Sequence, residues 1–263
     1  MMKRIALGVE YDGSTFYGWQ LQKHSDNTVQ FALEQALARV ADHPLRVVCA
    51  GRTDTGVHAM EQVVHFDTPA QRTPRQWVFG TNANLPKSVC VLWAKEVADD
   101  FHARFCAIRR RYRYVIVNRP VRPTFHAGRT TWQFRPLAVD AMRQAARYLI
   151  GTHDFTSYRA QACQAKSPVR TVTQLDIQRH GEFVVIDIEA NAFLHHMVRN
   201  IAGVLMEIGC GKRSPQWARE VLEYRDRRLG GVTAPPHGLY LAGVDYPSHF
   251  DLPRSASTAF CAF

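Results

Sequence analysis

The sequence predicts an α+β fold. Runs rich in β-branched and aromatic residues at 5–11, 62–66 and 108–117 have the alternation of strands, whereas 29–40 and 197–208 carry apolar residues at helical spacing. Their order decides the class: strand, helix, strand, strand near the N-terminus, then a comparable succession after residue 137. Antiparallel or mixed sheets flanked by helices, in two similar halves, are expected. No residue-level repeat links the halves, so their likeness is one of element order. A cleft between them is the natural place for a site.

Residues 5–11 read as the first strand, ended by the turn signal Asp12-Gly13-Ser14. The loop Tyr17-Gly18-Trp19-Gln20-Leu21-Gln22 follows, its aromatics expected in the core. Asn27 is placed to cap a helix, with Gln30 completing a capping box. Val29, Leu33, Ala36, Leu37 and Val40 form the face of that helix toward a sheet. After Pro44 come a strand at 45–50, a turn and a strand at 62–66, close enough to pair antiparallel. A short helix from Pro74 and a strand at 89–97 follow.

The most basic stretch is Ile108-Arg109-Arg110-Arg111-Tyr112-Arg113-Tyr114-Val115-Ile116-Val117. As a strand it puts Arg110, Tyr112 and Tyr114 on one face and Arg109, Arg111 and Arg113 on the other. The first face mixes cation with ring, a pairing that grips phosphate and stacks on bases. Residues 118–136 read as an extended connector. A helix with Val139, Met142, Ala146 and Leu149 on one face comes next, with Gly151 as its stop. His153–Arg159 is expected as a polar loop, 169–177 and 183–189 as strands around a turn at Gly181, and 195–208 as a long helix. Ser214-Pro215 opens a shorter helix, and 238–244 closes the sheet material. The organisation expected is an N-terminal half at 1–105, a basic strand and connector at 106–136, a C-terminal half at 137–246 and a loose tail at 247–263.

The 263 residues suffice for one large or two ordinary domains, and 46% hydrophobic with 21% charged content argues against wholesale disorder. Thirty-three Lys and Arg against 23 Asp and Glu leave +10, a balance that favours a polyanionic partner, nucleic acid before membrane. Residues 1–10 lack the apolar core of a signal peptide, and no run approaches the roughly 18 apolar residues of a membrane span. The six cysteines are scattered without a C-x-x-C pair, as expected of reduced thiols in the cytoplasm.

Between the strands at 45–50 and 62–66 lies Gly51-Arg52-Thr53-Asp54-Thr55-Gly56-Val57-His58-Ala59. A turn pinned by paired strands holds a side chain at a fixed angle, so Asp54 reads as a catalytic carboxylate. The bland alternative is an Asx turn. Asp54-Thr55-Gly56 also matches the aspartic protease triplet, but that chemistry needs two carboxylates sharing a proton, and this chain has one copy without the usual apolar residue ahead of it. A glycosidase likewise needs a second facing carboxylate, and none stands in a comparable turn. No metal site is expected: His195 and His196, if both helical, point about 100 degrees apart, and His58 and His65 lack partners at ligand spacing. Neither a dinucleotide fingerprint nor a phosphate loop is present. On residues alone, an RNA-binding protein without catalysis remains an alternative.

The segment around Asp54 closely resembles the active-site motif of the bacterial tRNA pseudouridine synthase A family. Tyr17-Gly18-Trp19-Gln20, Arg110-Arg111-Tyr112-Arg113-Tyr114, His153-Asp154-Phe155-Thr156-Ser157 and Phe193-Leu194-His195-His196-Met197-Val198-Arg199-Asn200 also look like signatures of that family, in its order. The resemblance implies the pseudouridine synthase fold, a basic cleft, and action as a homodimer on the anticodon arm of tRNA, at tRNA positions 38, 39 and 40. It implies no metal or organic cofactor. By similarity Asp54 is the catalytic aspartate, Arg52 helps displace the target base, Tyr112 stacks on it, and Arg199 is the ion-pair partner of Asp54. Arg110 is a candidate phosphate contact.

That chemistry suits these residue types. The base must leave the stack before its bond to C1′ breaks and re-forms through C5, at a cost of about a few kcal/mol that a cation filling the gap and a stacking ring offset. Arg199 would keep the aspartate ionised in a dry site. Asp54 either attacks C1′ or abstracts a ribose proton, and the residues do not choose between them.

Overall fold

The computed structural model describes residues 2–22 and 25–253. It divides into two compact units, one built from the chain up to Ile108 together with the chain from Tyr240 onward, the other from Arg109–Leu239.

In the first unit, strand β1 (Lys3–Tyr11) lies between two antiparallel neighbours. Its Ile5, Leu7 and Val9 are buried, as is Ala6 on the other face, so the strand is covered on both sides. A 3-10 turn at Gly13–Thr15 follows, capped by the Asp12 side chain, which accepts from the Ser14 N–H at 3.0 Å. Helix α1 (Val29–Ala41) buries Val29, Leu33, Ala36 and Leu37 as its spacing predicts. Its cap, however, is Thr28, whose hydroxyl accepts from the Phe31 N–H, while Asn27 reaches across to donate to the Thr15 carbonyl at 2.7 Å.

Strand β2 is only Val48–Cys49, and pairs antiparallel with the long β3 (His58–Thr68) through Val48 opposite His65 and Cys49 opposite Val64. Helix α2 (Pro74–Asn82) starts with the reciprocal Thr73–Gln76 capping box and packs on α1 and on β4 (Val89–Val97), which pairs with β1. The unit is completed from the far end of the chain.

In the second unit, β5 (Arg109–Asn118) pairs antiparallel with β9, and its far edge takes the short parallel strand β6 (Thr131–Gln133), which lies within the stretch expected to be a connector. Helix α3 (Val139–Arg147) ends at Tyr148; Gly151, with φ 109°, instead opens strand β7 (Gly151–Asp154). The expected polar loop after it turns inward, with Phe155, Ser157 and Tyr158 buried. Strand β8 (Val169–His180) joins β9 (Phe183–Ala190) across Gly181, and β7 pairs with the start of β8. Helix α4 (Met197–Gly209) buries the stripe Met197, Ile201, Val204, Leu205 and Ile208. Helix α5 is Trp217–Tyr224, two residues past Pro215.

The closing strand β10 (Leu239–Asp245) runs parallel to β3, with Tyr240 opposite His58 and Leu241 opposite Ala59. The α+β expectation thus holds. Ser248–Phe250 forms a 3-10 turn with Phe250 buried, and the remainder of the expected tail, 254–263 with Cys261, lies outside the described residues. Cys49, Cys90, Cys106, Cys163 and Cys210 are free thiols, and among the described residues no helix is long and apolar enough to cross a membrane.

Candidate active site

The turn carrying Asp54 is held from three directions, all within the first unit. Leaving β2, the Ala50 N–H donates to the Val63 carbonyl at 2.8 Å. The Gln62 amide, on β3, clamps Gly51 both ways: its Oε1 accepts from the Gly51 N–H at 3.3 Å and its Nε2 donates to the Gly51 carbonyl at 2.6 Å. Thr53 is buried, its carbonyl accepting from the Trp19 N–H at 3.0 Å and its hydroxyl bonded to the Tyr11 hydroxyl at 2.8 Å. The Val57 N–H then donates to the Asp54 carbonyl at 3.1 Å and closes the turn.

Two glycines make this possible. Gly56 has φ 76°, a left-handed conformation that a side chain disfavours. Gly18, at φ 86°, brings its backbone so near the turn that a β-carbon there would meet the Thr53 carbonyl oxygen at 2.7 Å. Beyond the turn, His58 Nδ1 accepts from the Gly13 N–H at 3.0 Å, and its ring stacks on Tyr240 at 4.6 Å. The consequence is a fixed backbone on both sides of a half-buried Asp54, with Arg52 exposed two residues earlier. Such a frame presents a carboxylate and a guanidinium without rearrangement, as a catalytic group requires.

Cys49 borders the turn but is no nucleophile. Burial pushes its thiol up to about 12, against the opposing influence of Arg52 and Arg104, so it stays protonated.

The second unit carries Arg110, Tyr112 and Arg199. The basic strand divides as its period predicts, yet the face of Arg110 and Tyr112 is shorter than expected: Tyr114 is fully buried, its hydroxyl bonded to Thr131 and donating to the Pro235 carbonyl. Half-buried Tyr112 meets the Phe193 ring edge-on at 5.0 Å, which fixes its orientation. Arg110 donates to the Asn191 carbonyl at 3.0 Å. On the opposite face, Arg113 makes a bidentate pair with Asp187 at 2.7 and 3.0 Å, and Arg109 meets Glu189 at 3.4 Å, so these cations serve the pairing with β9.

Arg199 lies in the first turn of α4. Its Nε donates to the Ala234 carbonyl at 2.9 Å while its own carbonyl accepts from the Ala234 N–H at 3.1 Å. The side chain is thereby anchored at the base. His195 and His196 precede the helix: His196 has φ 62°, and the two rings stand 4.0 Å apart, where two adjacent helical residues would diverge.

The sequence pointed to Asp54 and Arg52 but not to their supports Tyr11, Gly18, Trp19 and Gln62. Trp19 is buried as expected of the loop at 17–22, whereas Tyr17 is exposed. A glycine beside an aromatic in a loop was the one signal of close backbone approach.

The tRNA pseudouridine synthase family matches this chain over residues 8–106 and 145–247. The chain belongs to that family. Among curated synthases, it is 62% identical to tRNA pseudouridine synthase A of Nitrosococcus oceani over 95% of this chain and 96% of that one. It is 59% identical to tRNA pseudouridine synthase A of Pseudomonas aeruginosa over 96% and 89%, and 54% to that of Coxiella burnetii over 96% and 97%. As a member of the synthase family it is an isomerase that forms pseudouridine from uridine in tRNA. Arg52 and Asp54 fall in the first matched segment and Arg199 in the second; Arg110 and Tyr112 lie in the stretch between.

Proposed function

We propose that this chain isomerises uridine at positions 38, 39 and 40 in the anticodon arm of tRNA, with Asp54 as the catalytic carboxylate. The observation that carries the reading is the braced turn, which holds Asp54 half-buried with Arg52 exposed beside it. In this reading Arg52 enters the helix as the uridine leaves, and Tyr112 stacks on the extruded base, its ring already oriented by Phe193. Arg199 pairs with Asp54 and favours its ionised form. Asp54 then attacks C1′ or removes a ribose proton as the C1′–N1 bond breaks; the freed uracil turns and bonds to C1′ through C5, releasing Asp54 from C1′ or taking back the ribose proton, and C5 loses its proton to solvent while N1 takes one up. Arg110 contacts a backbone phosphate. The enzyme works in the cytoplasm as a homodimer and needs no cofactor.

The test is an unmodified tRNA transcript labelled in its uridines, incubated with the protein and mapped for pseudouridine. Wild type is expected to modify positions 38–40, and Asp54→Asn to bind tRNA without turnover. Modification at other positions, or turnover that survives in Asp54→Asn, overturns the proposal.

A further inference from the structure

The loop between β4 and β5 presents an aromatic group that the roles above leave unused. Phe105 is 76% exposed, although Phe101, four residues earlier in the same loop, is fully buried against Tyr246 and Phe250. Chance mobility does not account for it, because the loop is braced throughout. The Ala103 carbonyl accepts from the Tyr246 hydroxyl at 2.6 Å, and the Ala103 N–H donates to His65 Nδ1 at 3.2 Å. His102 Nδ1 accepts from both the Arg104 and Phe105 N–H groups at 3.2 Å, and the Cys106 N–H returns to the His102 carbonyl at 2.9 Å.

The rings form a short stack. The Phe105 ring lies on the His102 imidazole at 4.3 Å and 27°, and His102 in turn meets His65 at 4.8 Å. Burial lowers the pKa of both histidines, so the support beneath Phe105 is an uncharged aromatic surface. The Arg104 guanidinium stands 5.6 Å from the Phe105 ring centre, the loose end of a cation–π contact. His65, which holds the Ala103 N–H, lies opposite Val48 of β2, so this loop sits beside the strand that leads into the turn of Asp54, within the same unit. A rigid exposed ring next to an exposed cation is the combination that holds a nucleobase by its face and the adjoining phosphate by charge.

We propose that Phe105 is a stacking platform for an unpaired base of the tRNA other than the uridine being isomerised, with Arg104 on a neighbouring phosphate. This rests on tRNA being the substrate, and it adds a contact that positions the RNA without touching the reacting atoms. A second copy of this chain seated on Phe105 is the competing occupant, and the test separates the two.

Steady-state pseudouridine formation is measured with an unmodified tRNA transcript for wild type, Phe105→Ala, Phe105→Leu and Phe105→Trp. Phe105→Ala is expected to raise KM about tenfold with kcat within about twofold, from the loss of one stacked base. Phe105→Trp restores KM and Phe105→Leu does not. In Asp54→Asn, adding Phe105→Trp is expected to give extra tryptophan emission that tRNA quenches, relative to Asp54→Asn alone. An unchanged KM in Phe105→Ala with no quenching overturns the proposal. So does rescue by Phe105→Leu with loss of self-association in Phe105→Ala by sedimentation, which assigns the ring to a copy-to-copy contact. If wild type modifies positions outside 38–40, the site assignment falls while the KM comparison still decides this one.

Discussion

Gly18 and Asp54 meet backbone to backbone: a β-carbon on Gly18 would stand 3.0 Å from the Asp54 carbonyl carbon. Gly18→Ala must therefore push the turn of Asp54 or leave its own left-handed conformation, φ 86°. We expect a stability loss of about 2 kcal/mol in urea unfolding. Displacing the carboxylate by an ångström is worth about a hundredfold in rate, so single-turnover pseudouridine formation falls far more than tRNA affinity. Equal losses in both would place the effect outside the turn.

Arg110 is anchored to the Asn191 carbonyl yet stays half-buried on the face of Tyr112. Arg110→Ala is expected to weaken tRNA binding and to reduce the slope of log affinity against log salt by about one unit. Binding titrations across a salt series check this, and a parallel line with wild type removes Arg110 from the phosphate contacts.

His65 gives the first unit a pH dependence. Burial, aided by His102 and Arg4 and opposed by Asp67, lowers its pKa from 6.5 to about 4. The unfolded chain therefore takes the proton first as the solution is acidified. His65's contribution to stability is complete above about pH 6.5 and is lost as pH falls toward about 4. Burial also lowers the pKa of His102, so it acts in the same direction, whereas Asp67 is held below its ordinary value mainly by its bond to Arg4. His65→Gln, which keeps an acceptor for the Ala103 N–H, is expected to flatten the stability profile between about pH 7 and 4.5. Urea midpoints across that range decide it; an unaltered profile assigns the dependence elsewhere.

What the sequence disclosed, it disclosed through local patterns. The alternation at 108–117 and the stripe at 197–208 correspond to β5 and α4 because burial of one face imposes the period. Asn27 and Thr28 are both good helix caps, and only the distant Thr15 carbonyl that captures Asn27 decides between them. Gly151 has the positive φ that a helix stop and a strand entry share, so its role depended on a β8 partner some twenty residues on. Strand β6 is three residues long and pairs at an edge, too short to show alternation. At the candidate site, Arg52 and Asp54 were readable because their turn is continuous in the chain. The grip of Gly18, Trp19 and Gln62 on that turn was not, because it depends on the pairing of separate segments.

Strand β10 supplies the parallel neighbour of β3, and its Tyr240 ring covers His58 just after the turn of Asp54. The sheet that carries Asp54 therefore waits on residues made long after it. During synthesis the edge of β3 stays open while the whole of Arg109–Leu239 leaves the ribosome, a long interval in which another strand can pair there. Maturation of the earlier segment is thus timed by the later one, and a message cut short before the codon for Tyr240 yields a chain with Asp54 present and its scaffold unfinished.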